Sequence, residues 1–254
     1  MASIPGTQFD ATTGGSSVHV VEVSGGSVPP PTPGVFNLEV WTGPPGSAPT
    51  SPAPGYQGLA VVSNGGMQID LISGAFAITD HGTGNDTINI HGSNETVNGG
   101  GANFTVNDYG TNDVINGGGQ DTLTVFGFGD TVNGVGNDSI TANGTADVIN
   151  PGTGNDTITV NGTSDTVNGG SGNNHIKVTG LNDVIYGGSG PATITATGTG
   201  DTVNGAGGAL AVTLSGTSDV MAGGSGADSI AITGFDDLVF GGSGPDTITA
   251  SGTN

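Results

Sequence analysis

The chain has 254 residues, 52 of them Gly and 13 Pro, and carries one basic residue against 22 acidic ones, for a net charge of −21. The absence of Cys excludes disulfide scaffolds and zinc ribbons, and a single Lys excludes a nucleic-acid surface, which needs many cations to displace phosphate counterions. No apolar run approaches the ~20 residues of a membrane span, and so much Gly and Pro reads as low complexity unless a fixed period orders it.

In chain order, residues 1–56 form a Pro/Gly-rich segment. Its start lacks the basic and apolar stretches of a secretory signal. Pro29 to Pro33 and Gly43 to Gly55 read as extended linkers, and between them residues 35–41 (Val35-Phe36-Asn37-Leu38-Glu39-Val40-Trp41) alternate like one strand. Residues 57–80 hold two short apolar runs and read as irregular first coils or as a cap over an exposed sheet edge.

From residue 81 to 254 the chain repeats every nine residues. An apolar side chain returns in nineteen consecutive units, from Ile88, Val97 and Val106 to Ile230, Val239 and Ile248. Two unit types alternate, so the full period is about 18. Each unit has a Gly-rich turn, an acid and a short Thr/Val/Ile-rich strand. The expected fold is all-β: a parallel β-roll or β-solenoid with two short strands per coil and about ten coils. At ~4.8 Å per coil it would be a rod of roughly 45–50 Å. Asn98, Asn116, Asn133, Asn150, Asn168 and Asn204 recur before the Gly turn, placed for amide bonds from coil to coil. The last coil stops at Asn254, before its expected acid, so the chain reads either as a fragment or as an open edge that meets another molecule.

The acids fall into two rows. In the second unit type the row is complete: Glu95, Asp113, Asp130, Asp147, Asp165, Asp183, Asp201, Asp219 and Asp237. In the first type Asp86, Asp121, Asp138, Asp156, Asp228 and Asp246 carry it, and Phe104, Asn174, Ala192 and Leu210 interrupt it. Like charges ~4.8 Å apart repel by roughly 1 kcal/mol in water and ~3.5 kcal/mol at an effective dielectric near 20. Without protein counterions, divalent cations are the economical answer, and Ca²⁺ takes carboxylates and turn carbonyls together. The candidate metal residues are therefore Asp113, Asp130, Asp147, Asp165, Asp183, Asp201, Asp219 and Asp237 in one row, and Asp121, Asp138, Asp156, Asp228 and Asp246 in the other. The alternative is that each acid caps its own turn by accepting a backbone N–H.

Gly223-Gly224-Ser225-Gly226-Ala227-Asp228-Ser229-Ile230-Ala231 and Gly241 to Thr249 resemble the G-G-x-G-x-D-x-apolar-x nonapeptide of the repeats-in-toxin (RTX, hemolysin-type) family. His81 to Asn89 and Pro151 to Thr159 are looser matches. The resemblance implies a calcium-loaded parallel β-roll with metal between successive turns. It also implies a bacterial protein at the cell surface or outside the cell, exported by a type I system without an N-terminal signal. The second unit type keeps only its third-position Gly, as at Gly162, so its acids depart from the pattern.

His19, His81, His91 and His175 fall into no catalytic or zinc spacing, and the acid pairs repeat identically where a catalytic pair would be singular. The chain is therefore read as noncatalytic, a calcium-binding structural or adhesive protein. Phe128, Leu181 and Phe235 recur three coils apart, and Tyr186 and Phe240 replace two members of the Asn row. If exposed, these five are candidate contacts for self-association into fibres or end-to-end stacks; under a turn they would be core satellites. Two other readings stand beside this one: an ice-binding solenoid using outward Thr pairs such as Thr157/Thr159, and a noncatalytic module of a larger exported enzyme or toxin.

Overall fold

The computed structural model describes residues 2–3, 9–13, 18–24, 26–41, 52–63, 66–72, 76–80, 85–99 and 103–253. They form an all-β parallel β-solenoid that advances about 18 residues per coil, with no helix among them. The chain divides into two compact units, Met1–Gly127 and Phe128–Asn254.

The second unit shows the rule most plainly. Seven short strands, from Thr131–Asn133 to Leu238–Phe240, pair in parallel in one sheet, and seven longer ones, from Ser139–Ala142 to Thr247–Thr253, pair in parallel in another. Register is held by the 18-residue step: Ile158 lies beside Ile176, Ile176 beside Ile194, and Ile194 beside Val212. Strand side chains alternate between faces. Ile158, Val160, Ile176 and Val178 are therefore buried, while His175 and Lys177 on the same strand point out. In the coils before the last, the short strand buries one apolar residue and the long strand at least two, a thin core continued by stacking.

The first unit uses the same scheme with exceptions near its start. Asp86–Ile90, Phe104–Asp108 and Thr122–Val125 pair in parallel, as do Thr96–Asn98 and Val114–Asn116. Gly66–Leu71 is antiparallel to Gly58–Ser63, which in turn runs parallel to Phe36–Trp41. Residues 1–56 are not an extended segment with one strand, because Ala2–Ser3, Phe9–Thr13 and Val18–Val23 are strands as well. Val18–Val23 escapes sequence reading because the adjacent Val20 and Val21 break a period of two. It forms because it pairs with Phe36–Trp41 and buries Val21 and Val23 in a cluster with Trp41, Tyr56 and Leu59. Phe36–Trp41 is buried on both faces rather than one, and Glu39 survives there by accepting the Ala53 N–H at 2.8 Å. Most of the Gly43 to Gly55 linker and all of His81 to Gly84 lie outside the described residues.

Candidate metal centre

The complete acid row is built by a backbone device. The residue before each acid adopts a left-handed conformation: Asn94, Asn112, Gly129, Ala146, Ser164, Asn182, Gly200, Ser218 and Asp236 all have φ between 57° and 74°. This single bend ends the Gly-rich turn and turns the following acid inward. Glu95, Asp113, Asp130, Asp147, Asp165, Asp183, Asp201 and Asp219 are at most 1% exposed, and Asp237 in the last coil is half-buried.

Asp147 and the buried acids after it then reach back across one coil. Asp165 Oδ1 accepts the Asp147 N–H at 2.9 Å, Asp183 Oδ1 that of Asp165 at 2.9 Å, Asp201 Oδ1 that of Asp183 at 3.0 Å, and Asp219 Oδ1 that of Asp201 at 2.9 Å. The acids thus bond between coils rather than capping their own turns. Their second oxygens are the unusual feature: Oδ2 of Asp165, Asp183, Asp201 and Asp219 is buried with no hydrogen-bond partner. A buried carboxylate oxygen left so is costly unless a proton or a cation meets it. These oxygens sit against the third-position glycines. A Cβ on Gly198 would lie 2.8 Å from Asp201 Oδ2, and one on Gly216 2.6 Å from Asp219 Oδ2; both would also collide with the glycine carbonyl oxygen one coil back. Carboxylate and carbonyl oxygens without nitrogen or sulfur are the donor set of a hard cation such as Ca²⁺.

The interrupted row follows the same plan where its acid is present. Asp156 Oδ1 accepts the Asp138 N–H at 2.9 Å, Asp228 Oδ1 the Leu210 N–H at 2.9 Å, and Asp246 Oδ1 the Asp228 N–H at 3.2 Å. Oδ2 of Asp156 and of Asp228 is again buried and without a partner. A Cβ on Gly223 would stand 2.7 Å from Asp228 Oδ2 and collide with the Gly241 carbonyl oxygen. Asp121 differs, because its Oδ2 accepts the N–H groups of Gly118 and Gly119 in its own turn at 2.9 and 3.3 Å. Where the acid is absent, another group fills its place. The Asn174 amide donates to the Gly169 carbonyl, Leu210 packs against Gly187 and Gly205, and the Phe104 ring covers Gly99.

Burial controls the charge state of these acids. It raises Asp156, Asp165, Asp201, Asp219 and Asp228 above the ordinary carboxylate value, and pushes Asp183 up to about 6. Backbone N–H bonds oppose the shift at each of them without cancelling it. With protons or cations as the two ways to satisfy such oxygens, the residues present fit calcium. It would supply positive charge between coils and be held by Asp156, Asp165, Asp183, Asp201, Asp219, Asp228 and Asp246.

A model of the family described as the RTX calcium-binding nonapeptide repeat matches residues 134–158, 152–176, 159–191, 215–231 and 232–254. The chain carries RTX repeats. No curated protein and no solved structure matches it. The RTX matches all lie in the second unit and take in Asp156, Asp165, Asp183, Asp219 and Asp228 but not Asp201, and they imply Ca²⁺ binding there. The sequence pattern located these acids but not their burial, nor the left-handed residue before each.

Proposed function

We propose that the protein is an exported, noncatalytic calcium-binding repeat protein with a structural or adhesive role outside the cell. The carrying observation is the buried row of Asp165, Asp183, Asp201 and Asp219, each with one oxygen that has no hydrogen-bond partner. A sequence of equal sites serves rigidity, whereas catalysis requires one site whose groups differ. An open groove of about 460 Å³ passes Asn174, His175, Ala192 and Leu210, where the RTX acid row is interrupted, and His175 is its one titratable lining residue. No helix among the described residues is long and apolar enough to cross a membrane.

The adhesive part of the reading rests on the surface. Phe128, Leu181, Tyr186, Phe235 and Phe240 are 41–57% exposed, so they are not core satellites. Apolar side chains recurring on a polar surface are contact points for a second copy or a neighbouring matrix component. The outward Thr columns are broken where His175 and Lys177 stand beside Thr157 and Thr159, which gives the ice-binding reading less support. Sedimentation velocity on the calcium-loaded chain tests the surface. Assembly that weakens when Leu181 and Phe235 are replaced by Ser supports self-association; a monomer at every concentration, with or without calcium, contradicts it.

A further inference from the structure

Asp108 belongs to neither acid row. It ends the strand Phe104–Asp108, where it lies between Ile90 on one neighbouring strand and Val125 on the other. Both neighbours are fully buried, and so is Asp108, at 0% exposure. In the second unit the corresponding strand position is Val160, Val178, Ala196, Leu214 and Ile232, always apolar. A carboxylate in a core column loses its hydration and is retained only where something replaces it.

Asp113 meets it, and Glu95, the acid one coil before Asp113, stands beside Asp113. Asp113 and Glu95 are 0% and 1% exposed, and Asp113 Oδ1 accepts the Glu95 N–H at 2.7 Å. Carboxylate oxygens of Asp108 and Asp113 lie within 4.8 Å of each other. Asp108 Oδ1 also accepts the Gly110 N–H at 2.7 Å. Neither carboxylate oxygen of Glu95 has a hydrogen-bond partner. Burial first, and then the Glu95 carboxyl beside it, push Asp113 up to about 7. Two glycines make room for the group. A Cβ on Gly110 would collide with Asp113 Oδ2 and the Gly92 carbonyl oxygen and lie 3.1 Å from Asp108 Oδ1; one on Gly92 would collide with Glu95 Oε1.

We propose that Glu95, Asp108 and Asp113, with the Gly92 carbonyl oxygen, form a discrete site for one calcium ion in the first unit. Three carboxylates and a carbonyl give an all-oxygen donor set with an excess of negative charge, which a hard divalent cation neutralises. The site is closed to solvent. That favours Ca²⁺, which accepts a shell of protein oxygens, over Mg²⁺, which keeps several waters. None of these residues lies in a matched RTX stretch, so the inference stands apart from the nonapeptide sites.

Counting bound ions on the full chain by equilibrium dialysis against calcium tests it, with Asp108→Leu, Glu95→Gln and Asp228→Asn beside the parent. Asp108→Leu restores the apolar residue type of its column, so it is expected to keep its β circular dichroism and to melt no lower than the parent in EDTA. Asp108→Leu and Glu95→Gln are each expected to lose one ion per chain, and Asp228→Asn to keep that ion. If Asp108→Leu folds poorly, Glu95→Gln alone decides. Parent-like ion counts in the folded variants would overturn the site. Loss from Asp108→Leu with none from Asp228→Asn would uphold this site while removing calcium from the Asp228 edge.

Discussion

At the scale of single residues, the fold depends on a bend that composition does not advertise. Ala146 has φ 61°, a conformation that costs an ordinary residue about 1–2 kcal/mol, and Ala has no side-chain hydrogen bond to offset it. Gly relieves that cost while losing about 0.5–1 kcal/mol of backbone entropy on folding. Ala146→Gly is therefore expected to stabilise the protein by roughly 0.5 kcal/mol, read from thermal melts at fixed calcium. Gly154 is the opposite case. Its φ is 139° and a Cβ would run into the Gly136 carbonyl oxygen. Gly154→Ala is expected to cost about 1–3 kcal/mol, and an unchanged melting temperature would contradict the tight coil stacking described for this turn. Asn94, Asn112, Gly129, Asn182, Gly200 and Asp236 are residue types that favour a left-handed bend, but Ala146 is not, so the position is only partly legible in sequence.

Whole strands and their ladders were far more legible, because one period fixes the register of every coil. The Asn row predicted from spacing does bond between coils. Asn150 Nδ2 donates to Asn133 Oδ1 at 2.9 Å, and Asn168 Nδ2 to Asn150 Oδ1 at 2.6 Å. Asn204 lies beside Tyr186, where the row is broken, and is exposed. Removing a hydrogen bond costs about 0.5–1.5 kcal/mol. Asn150→Ala is thus expected to lose roughly 1–3 kcal/mol in denaturant unfolding, clearly more than Asn204→Ala; equal losses would contradict an energetic role for the ladder. Legibility failed where the period did. Val18–Val23 has no alternation to betray it, and its pairing with Phe36–Trp41 is a long-range fact. Asp108 was hidden for a different reason: it occupies an apolar column, outside the Gly-turn frame in which acids are sought.

For the whole molecule, burial of so many carboxylates couples folding to pH and to calcium. Asp183 rises from 3.8 to about 6, and Asp156, Asp165, Asp201, Asp219 and Asp228 rise as well. The folded chain therefore binds protons that the unfolded chain has already released. Stability without metal falls as pH rises from about 4 through about 6, the reverse of a salt-bridged carboxylate. In EDTA the melting temperature is expected to be higher near pH 5 than near pH 8. Saturating calcium should shrink or reverse that difference, because the ion replaces the proton on the same oxygens. A metal-free protein that grows more stable from pH 5 to pH 8 would contradict the assignment of these oxygens as unmet. Each independent calcium site that binds only the folded state adds about 2.7 kcal/mol at a hundred times its Kd.

The most direct measurement is a calcium titration of the full chain at low salt and about pH 7.5, with bound ions and melting temperature followed together. The expected result is several ions per chain, a melting temperature that climbs as they bind, and a return to the lower value in EDTA. A chain that binds no calcium and melts identically in EDTA would contradict a calcium-loaded solenoid.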